Sequence, residues 1–209
     1  MTEVALVQND AAESAKRNQI LDGAKACFLA QGFDGASMND IVKAAGVSKG
    51  TVYAYFPSKD KLFEALIFRD RRLQAEQTMV IENPERPVQE VLYDLALRFG
   101  RLHKTRETIA YVRLVVAVAE KFPQIGKAFY EAGPAFAYDK VADYLQSKMD
   151  DGTLQQANPH LAATQFLELV MCGQIKPKLF AAEDIAPHYP LEEVVRSGVA
   201  MFLAGMKKL

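Results

Sequence analysis

Three residues, Gly46-Val47-Ser48, are all that separate two short runs of helical periodicity, and no other feature restricts the folding of this chain as much. On the N-terminal side, Ser37 opens a segment in which Asp40 stands three residues on, a variant of the capping box that also puts a carboxylate at the positive helix end. Ile41, Val42 and Ala45 give this segment one apolar face, and Gly46 ends it. On the C-terminal side, Ser48 is placed to cap a second short helix whose Val52 and Phe56, four apart, point inward. Phe56-Pro57 stops that helix, because proline disfavours a helical conformation in the residue before it. Two short helices around a glycine-containing turn form the helix-turn-helix pattern.

Helical periodicity continues on both sides. From Lys16, the apolar residues Ile20, Leu21, Ala24, Cys27 and Phe28 share one face. Gly32 is expected as a left-handed cap, with Phe33 folding back, and residues 1 to about 14 as a frayed arm. Ser58 is expected to cap a fourth helix, with Leu62, Phe63, Leu66 and Ile67 on its apolar face, running to about Glu82 before Asn83-Pro84. Pro87 to about His103 repeats the pattern. Residues 107–122 contain the stretch Tyr111 to Ala119, apolar nearly all round except Arg113. Their valines would also suit a strand, but no partner strand is evident, so the segment reads as a buried helix. Pro123 to Gln146 or a little beyond is helical with a break near Gly133-Pro134. Pro159 to about Phe180 reads as one helix kinked by Pro177. Glu183 to Tyr189 reads as loop, and Pro190 as the first position of a last helix. The class is all-α.

The second short helix carries the chemistry. A helix-turn-helix places this element in the major groove of double-stranded DNA with its N-terminal end leading. Free N–H groups after Ser48 suit phosphate, and Lys49 adds a full charge beside them. Gly50 removes a side chain where a backbone must come close, and Thr51 offers a hydroxyl and a methyl to a base edge. Tyr53 and Tyr55 are long, stiff side chains with hydroxyl tips. Lys59 can clamp a flanking phosphate, and Arg17 is a further phosphate neighbour. Ser37 and Ser48 are either helix caps alone or caps that also touch phosphate. Net charge is −1, so no global basic field announces a polyanion. Locally, however, Ser37 to Lys61 holds four lysines against two aspartates.

The stretch GFDGASMNDIVKAAGVSKGTVYAYFPSKDKL, Gly32 to Leu62, resembles the DNA-binding domain of TetR-type transcriptional regulators. The resemblance covers roughly residues 16 to 65. Ser37 stands where threonine is commoner and Val42 where alanine is. Ala119-Glu120-Lys121-Phe122-Pro123, with Phe129-Tyr130 and Gly133-Pro134, looks like an AefR-type C-terminal region. The resemblance implies an N-terminal three-helix DNA-binding domain, placed at 15–62, and a helical effector-binding and dimerisation domain at 63–209. It implies that Lys49, Gly50, Thr51 and Tyr53 are the recognition-helix contacts, and that Ser37, Ser48, Tyr55 and Lys59 meet phosphates. It also implies a homodimer on a near-palindromic operator, most simply a repressor released by a small apolar or amphipathic effector.

Within the body, Phe99, His103, Arg113, Phe136, Phe166, Met171 and Gln174 are the polar or aromatic residues on inward stretches, and are expected to meet the effector. The last helix carries a wide apolar stripe with Val195, Gly198, Val199, Phe202 and Met206. This stripe is expected to form a two-fold interface beside Leu161, Gln165, Glu168 and Cys172 of the preceding helix. One rival reading is a DNA anchor that recruits another protein; another is a helical enzyme acting on the small ligand. Enzyme signals are absent: Ser48-Lys49-Gly50-Thr51 reverses the order of a phosphate-binding loop, and His103, His160 and His188 stand apart. No cofactor or metal is expected. Cys27 and Cys172 stand in no metal-ligand spacing and are expected as reduced thiols. The acidic start lacks the basic and apolar regions of a secretory signal. The longest apolar run, Leu114 to Ala119, is far short of the roughly 20 residues a membrane helix needs. A soluble cytoplasmic protein with no membrane partner is expected.

Overall fold

The computed structural model describes residues 3–206, with side chains from residue 13 onward. The described residues form eleven α-helices and one π-helical turn, with no strand. In order, these are α1 (Glu3–Gly35), α2 (Met38–Ala45), α3 (Lys49–Tyr55), α4 (Lys59–Thr78), α5 (Val88–His103), α6 (Arg106–Ala119), α7 (Pro123–Tyr130), the π turn (Glu131–Ala135), α8 (Phe136–Asp150), α9 (Pro159–Val170), α10 (Lys176–Leu179) and α11 (Leu191–Gly205). They fall into two compact units. One runs through Asp70 and takes in Leu114–Phe129; the other comprises Arg71–Arg113 and the chain from Tyr130.

In the first unit α1 begins at Glu3, so the arm expected over residues 1–14 is helical from its third residue; the first two lie outside the described residues. No glycine or proline precedes Gly23, and the stretch is rich in alanine, so nothing stops the helix earlier. Gly32 breaks α1 with φ 73° and ψ 176°. The positive φ is the one anticipated, but the extended ψ throws Phe33 back across the helix instead of closing a left-handed cap. Phe33 then meets Phe28 and Phe63 at ring separations of 5.8 and 5.2 Å, and Phe28 meets Phe63 at 4.6 Å. Each such pair adds about 0.5–1.5 kcal/mol beyond simple burial.

Helix α2 lies hard against α1. A Cβ on Gly23 would sit 2.6 Å from the Ala45 backbone nitrogen, so only glycine permits this approach. Gln19 Nε2 donates to Ala45 O at 2.8 Å, satisfying a carbonyl that α2 itself leaves open. Gly46 ends α2 in the left-handed conformation, φ 63° and ψ 35°. Ile41, Ala45, Val52 and Phe56 join Ile20, Leu21, Ala24 and Phe28 in one core with Leu62, Phe63, Leu66 and Ile67 of α4. That core fixes α3.

The second unit is built on α5, α8, α9 and α11, whose apolar faces share a core including Leu92, Leu95, Val141, Leu145, Phe166, Val170, Val195 and Phe202. Three elements differ from expectation. α4 stops at Thr78, leaving Met79, Val80 and Ile81 outside it. The helix begun at Pro159 ends at Val170, not near Phe180, because Gly173 takes φ +70°; Pro177 enters α10 near its start, where its missing N–H costs nothing. α6 is helical but open on one side, with Val116 69% exposed. The expected break at Gly133-Pro134 becomes the π turn: Pro134 has no N–H to give the helical ladder.

The α11 stripe also differs. Val195, Gly198, Val199, Phe202 and Met206 are buried within the subunit, so they cannot face a second copy. A Cβ on Gly198 would lie 3.1 Å from Val170 Cγ1 and 3.2 Å from Leu169 O, so the small residue serves the approach of α11 to α9. The stripe is wide because it covers both α5 and α9. Leu161, Gln165, Glu168 and Cys172 do remain exposed.

Candidate nucleic-acid interface

Helix α3 is seven residues long and is held from both ends. The Ser48 hydroxyl accepts from Thr51 N at 3.0 Å and lies 2.7 Å from Thr51 Oγ1. At the other end the Phe56 N–H donates to Val52 O at 2.9 Å. Val52 and Phe56 are buried, which turns Lys49, Gly50 and Tyr53 outward; all three are exposed, while Thr51 and Tyr55 are half-buried. The Lys49 ammonium stands 5.8 Å from the Tyr53 ring centre, one helical turn away. Ser48 and Thr51 share a single hydroxyl–hydroxyl bond, so whichever donates it, the other keeps a proton for an outside acceptor. The N–H groups of Lys49 and Gly50 have no intrahelical acceptor, as at any helix start.

Gly50 is not required by the fold. A Cβ there would meet nothing closer than Ser48 Oγ at 3.9 Å, and its backbone is not left-handed. The Arg17 guanidinium lies over the Phe56 ring at 5.4 Å, with Arg17 itself exposed.

Two residues expected at phosphates are occupied otherwise. The Ser37 hydroxyl donates to Asp40 Oδ2 at 2.6 Å and accepts from Asp40 N at 3.2 Å, and the Ser37 N–H returns to the same carboxylate: a complete capping box. Its proton is used, and those hydrogen bonds hold the Asp40 carboxyl below the usual carboxylate range, keeping an anion beside it. Lys59 turns its ammonium inward onto Phe33 O (2.6 Å), Ala36 O (3.0 Å) and Asp34 O (3.4 Å), over the Phe33 ring. An ammonium has three protons, and three carbonyls take them. Lys59 therefore locks the turn after Gly32 and has none left for phosphate.

Sequence reasoning passed over a charge network between α1 and α4. Arg69 pairs with Asp22 and Asp70 at 2.8 Å each, and Lys25 pairs with the buried Asp70 at 3.1 Å. The available signal was Asp70 itself, a carboxylate on the stripe that carries Phe63, Leu66 and Ile67.

The seven expected effector residues do not converge. Phe99 and His103 meet, at a ring separation of 4.0 Å, and His103 Nδ1–H donates to Phe99 O at 2.8 Å. Burial, offset in part by that hydrogen bond, pushes the His103 imidazole below its ordinary value, with Arg71 adding to the shift. Phe166 is core, its ring tilted against Phe202 at 5.1 Å, and Met171 is buried. Arg113 is exposed and donates to the closing carbonyls of α10, Leu179 O at 3.0 Å and Lys178 O at 2.5 Å. Gln174 donates to Tyr189 O on the rim of a small cleft. Phe136 alone lines a sizeable open groove, of about 520 Å³. Apolar or polar choice on an inward face does not distinguish a pocket wall from a core filler or a helix cap.

Among the described residues no helix is long and apolar enough to cross a membrane, and no three His, Cys, Asp or Glu residues are placed to hold a metal ion.

Comparison with known proteins gives a consistent result. A family described as bacterial regulatory proteins of the tetR family matches residues 20–66, and one described as the C-terminal domain of AefR-like transcriptional repressors matches residues 90–206. The HTH-type transcriptional repressor AcnR of Corynebacterium diphtheriae is 37% identical over 163 residues, spanning 78% of this chain and 80% of that protein. A TetR-family transcriptional regulator from Mesorhizobium loti superposes with a TM-score of 0.83 at 27% identity, covering 92% of this chain and 96% of its own. The flavonoid-responsive regulator FrrA gives 0.80 at 31% identity, covering 92% and 97%.

Proposed function

The chain belongs to the TetR family and is a DNA-binding transcriptional regulator, not an enzyme; from that premise we propose that it is a homodimeric repressor, released from a near-palindromic operator by a small effector. The observation that carries the reading is the outward face of α3, where Lys49, Gly50 and Tyr53 are exposed on a helix pinned by Val52 and Phe56. In the major groove, Thr51 and Tyr53 read base edges while Lys49, the Ser48–Thr51 hydroxyl pair and the first free N–H groups of α3 meet phosphate. Gly50 lets the backbone approach. Tyr55 flanks this surface, whereas Ser37 and Lys59 hold its scaffold.

Two copies of α3 must be held about one DNA turn, or a multiple, apart. With the inner stripe of α11 occupied, the two-fold face falls on the exposed side of α9, at Leu161, Gln165, Glu168 and Cys172. The outer side of α11 at Ser197 and Met201 extends it; Met201 is 62% exposed. That one structural relative is named for its response to flavonoids supports ligand control on this fold. An effector that takes the operator-competent form from 99% to 1% must prefer the other form by about 5.5 kcal/mol. Action in the cytoplasm, where the DNA is, follows from the same reading.

The test is selection of bound DNA from random and genomic fragments, followed by titration of the recovered duplex against bulk competitor. A tight site with two related half-sites is the expected result. Equal affinity for all duplexes at moderate ionic strength would refute the reading.

A further inference from the structure

Where α4 gives way to loop, Arg72, Glu76, Met79, Val80 and Ile81 face Phe136 and Lys140 of α8 across the open groove of about 520 Å³. Its chemistry is divided. Met79 is buried and Ile81 half-buried, and with Val80 and Phe136 they give one apolar wall. Both cations gather at the Phe136 ring: Arg72 Cζ lies 3.9 Å and Lys140 Nζ 5.6 Å from its centre. Arg72 also bonds Glu76 Oε1 at 2.7 Å, an exposed pair one turn along α4 that holds little energy. With two cations and one carboxylate, the lining carries a single net positive charge.

We propose that this groove is the effector site and that its ligand is a monoanionic amphiphile, a carboxylate bearing an alkyl or aryl tail. The inference rests on the ligand-responsive reading above. The carboxylate takes the N–H edge of the Arg72 guanidinium in place of Glu76, with Lys140 beside it, and the tail lies along Met79, Val80, Ile81 and the Phe136 ring. A monoanion matches the net charge of the lining, whereas a dianion exceeds it. Regulation follows from sequence: α4 begins at Lys59, directly after the Phe56-Pro57-Ser58 segment that closes α3, so a ligand gripping Arg72 acts on the helix that leaves the DNA-binding head.

The experiment is calorimetric titration of the full chain with decanoate and 2-naphthoate, and with decanol as the uncharged counterpart. At least one carboxylate should bind once per subunit. Arg72→Gln and Lys140→Gln should each weaken it roughly tenfold to a hundredfold, the range for losing a charged hydrogen-bond partner, while leaving decanol unchanged. Absence of binding, equal binding of decanoate and decanol, or variants that bind the carboxylates like the parent would each overturn the proposal. The chain has no tryptophan, so Phe136→Trp supplies a single emitter in the groove. Its emission should change along the binding curve, and unchanged emission under saturation would place the ligand elsewhere. Operator titration of the unliganded protein is read separately: if that alone fails, the regulator reading falls while the binding result stands.

Discussion

Gly23 and Gly50 are both helical glycines near the candidate interface, and their surroundings give opposite outcomes for the same substitution. At Gly23 an added Cβ would press on the Ala45 backbone at 2.6 Å, which cannot move aside as a side-chain tip can. Gly23→Ala should therefore lower unfolding stability by about 1–3 kcal/mol, read from a denaturant midpoint. At Gly50 the space is open, and alanine is the better helix former by up to about 1 kcal/mol. Gly50→Ala should hold or raise the midpoint and still weaken operator binding. Unimpaired binding would show that the backbone does not approach DNA there. Tyr53→Ala should likewise cost about 1–3 kcal/mol of operator affinity, by titration, with the midpoint unchanged. The outward placing of Lys49, Gly50 and Tyr53 was legible because Val52 and Phe56, four apart, fix the rotation of so short a helix. The occupation of Lys59 was not, since nothing local says that a lysine after a helix stop will reach carbonyls more than twenty residues earlier.

Helix α11 shows what periodicity tells and what it leaves open at the level of an element. The spacing of Val195, Val199, Phe202 and Met206 marks a buried face but not the partner that buries it; the partners are α5 and α9 of the same subunit. Removing the helix would open that core, so truncation from Pro190 cannot report on assembly alone. Single charges can. Met201→Glu and Leu161→Glu fall on exposed positions and should halve the mass measured by light scattering at unchanged helicity. Val199→Glu should unfold the second unit, because a buried carboxylate without a partner is costly. If neither surface variant shifts the mass, the two-fold face lies elsewhere. The stop before Gly173 is hidden in the sequence for a related reason: a glycine and a nearby proline both interrupt helices, and only the φ of +70° shows that the glycine acts before Pro177.

For the whole molecule, two titrations separate scaffold from contact. Burial holds the folded-state pKa of His103 below the unfolded value of about 6.5. The unfolded chain therefore takes up a proton that the native chain refuses as pH falls below that value. Stability present above it should be lost progressively on acidification until the folded pKa is reached. His103→Asn, which keeps an N–H near the Phe99 carbonyl, should flatten that part of the profile; an unchanged slope would assign it to other groups. Salt addresses the DNA side. With a net charge of only −1 over the chain, operator affinity cannot draw on a broad basic field, so its salt dependence counts local phosphate contacts. Each contact contributes about 0.9 to the slope of log K against log salt, and a dimer presents every contact twice. Lys49→Gln should thus reduce the slope by about 2. Lys59→Gln removes the same formal charge nearby, but its ammonium is spent on Phe33, Asp34 and Ala36 carbonyls. It should leave the slope within error of the parent and instead lower the denaturant midpoint, by about 1–2 kcal/mol. Equal slope changes in the two variants would mean that Lys59 swings out to the duplex, and that the turn after Gly32 is held by packing of its phenylalanines alone.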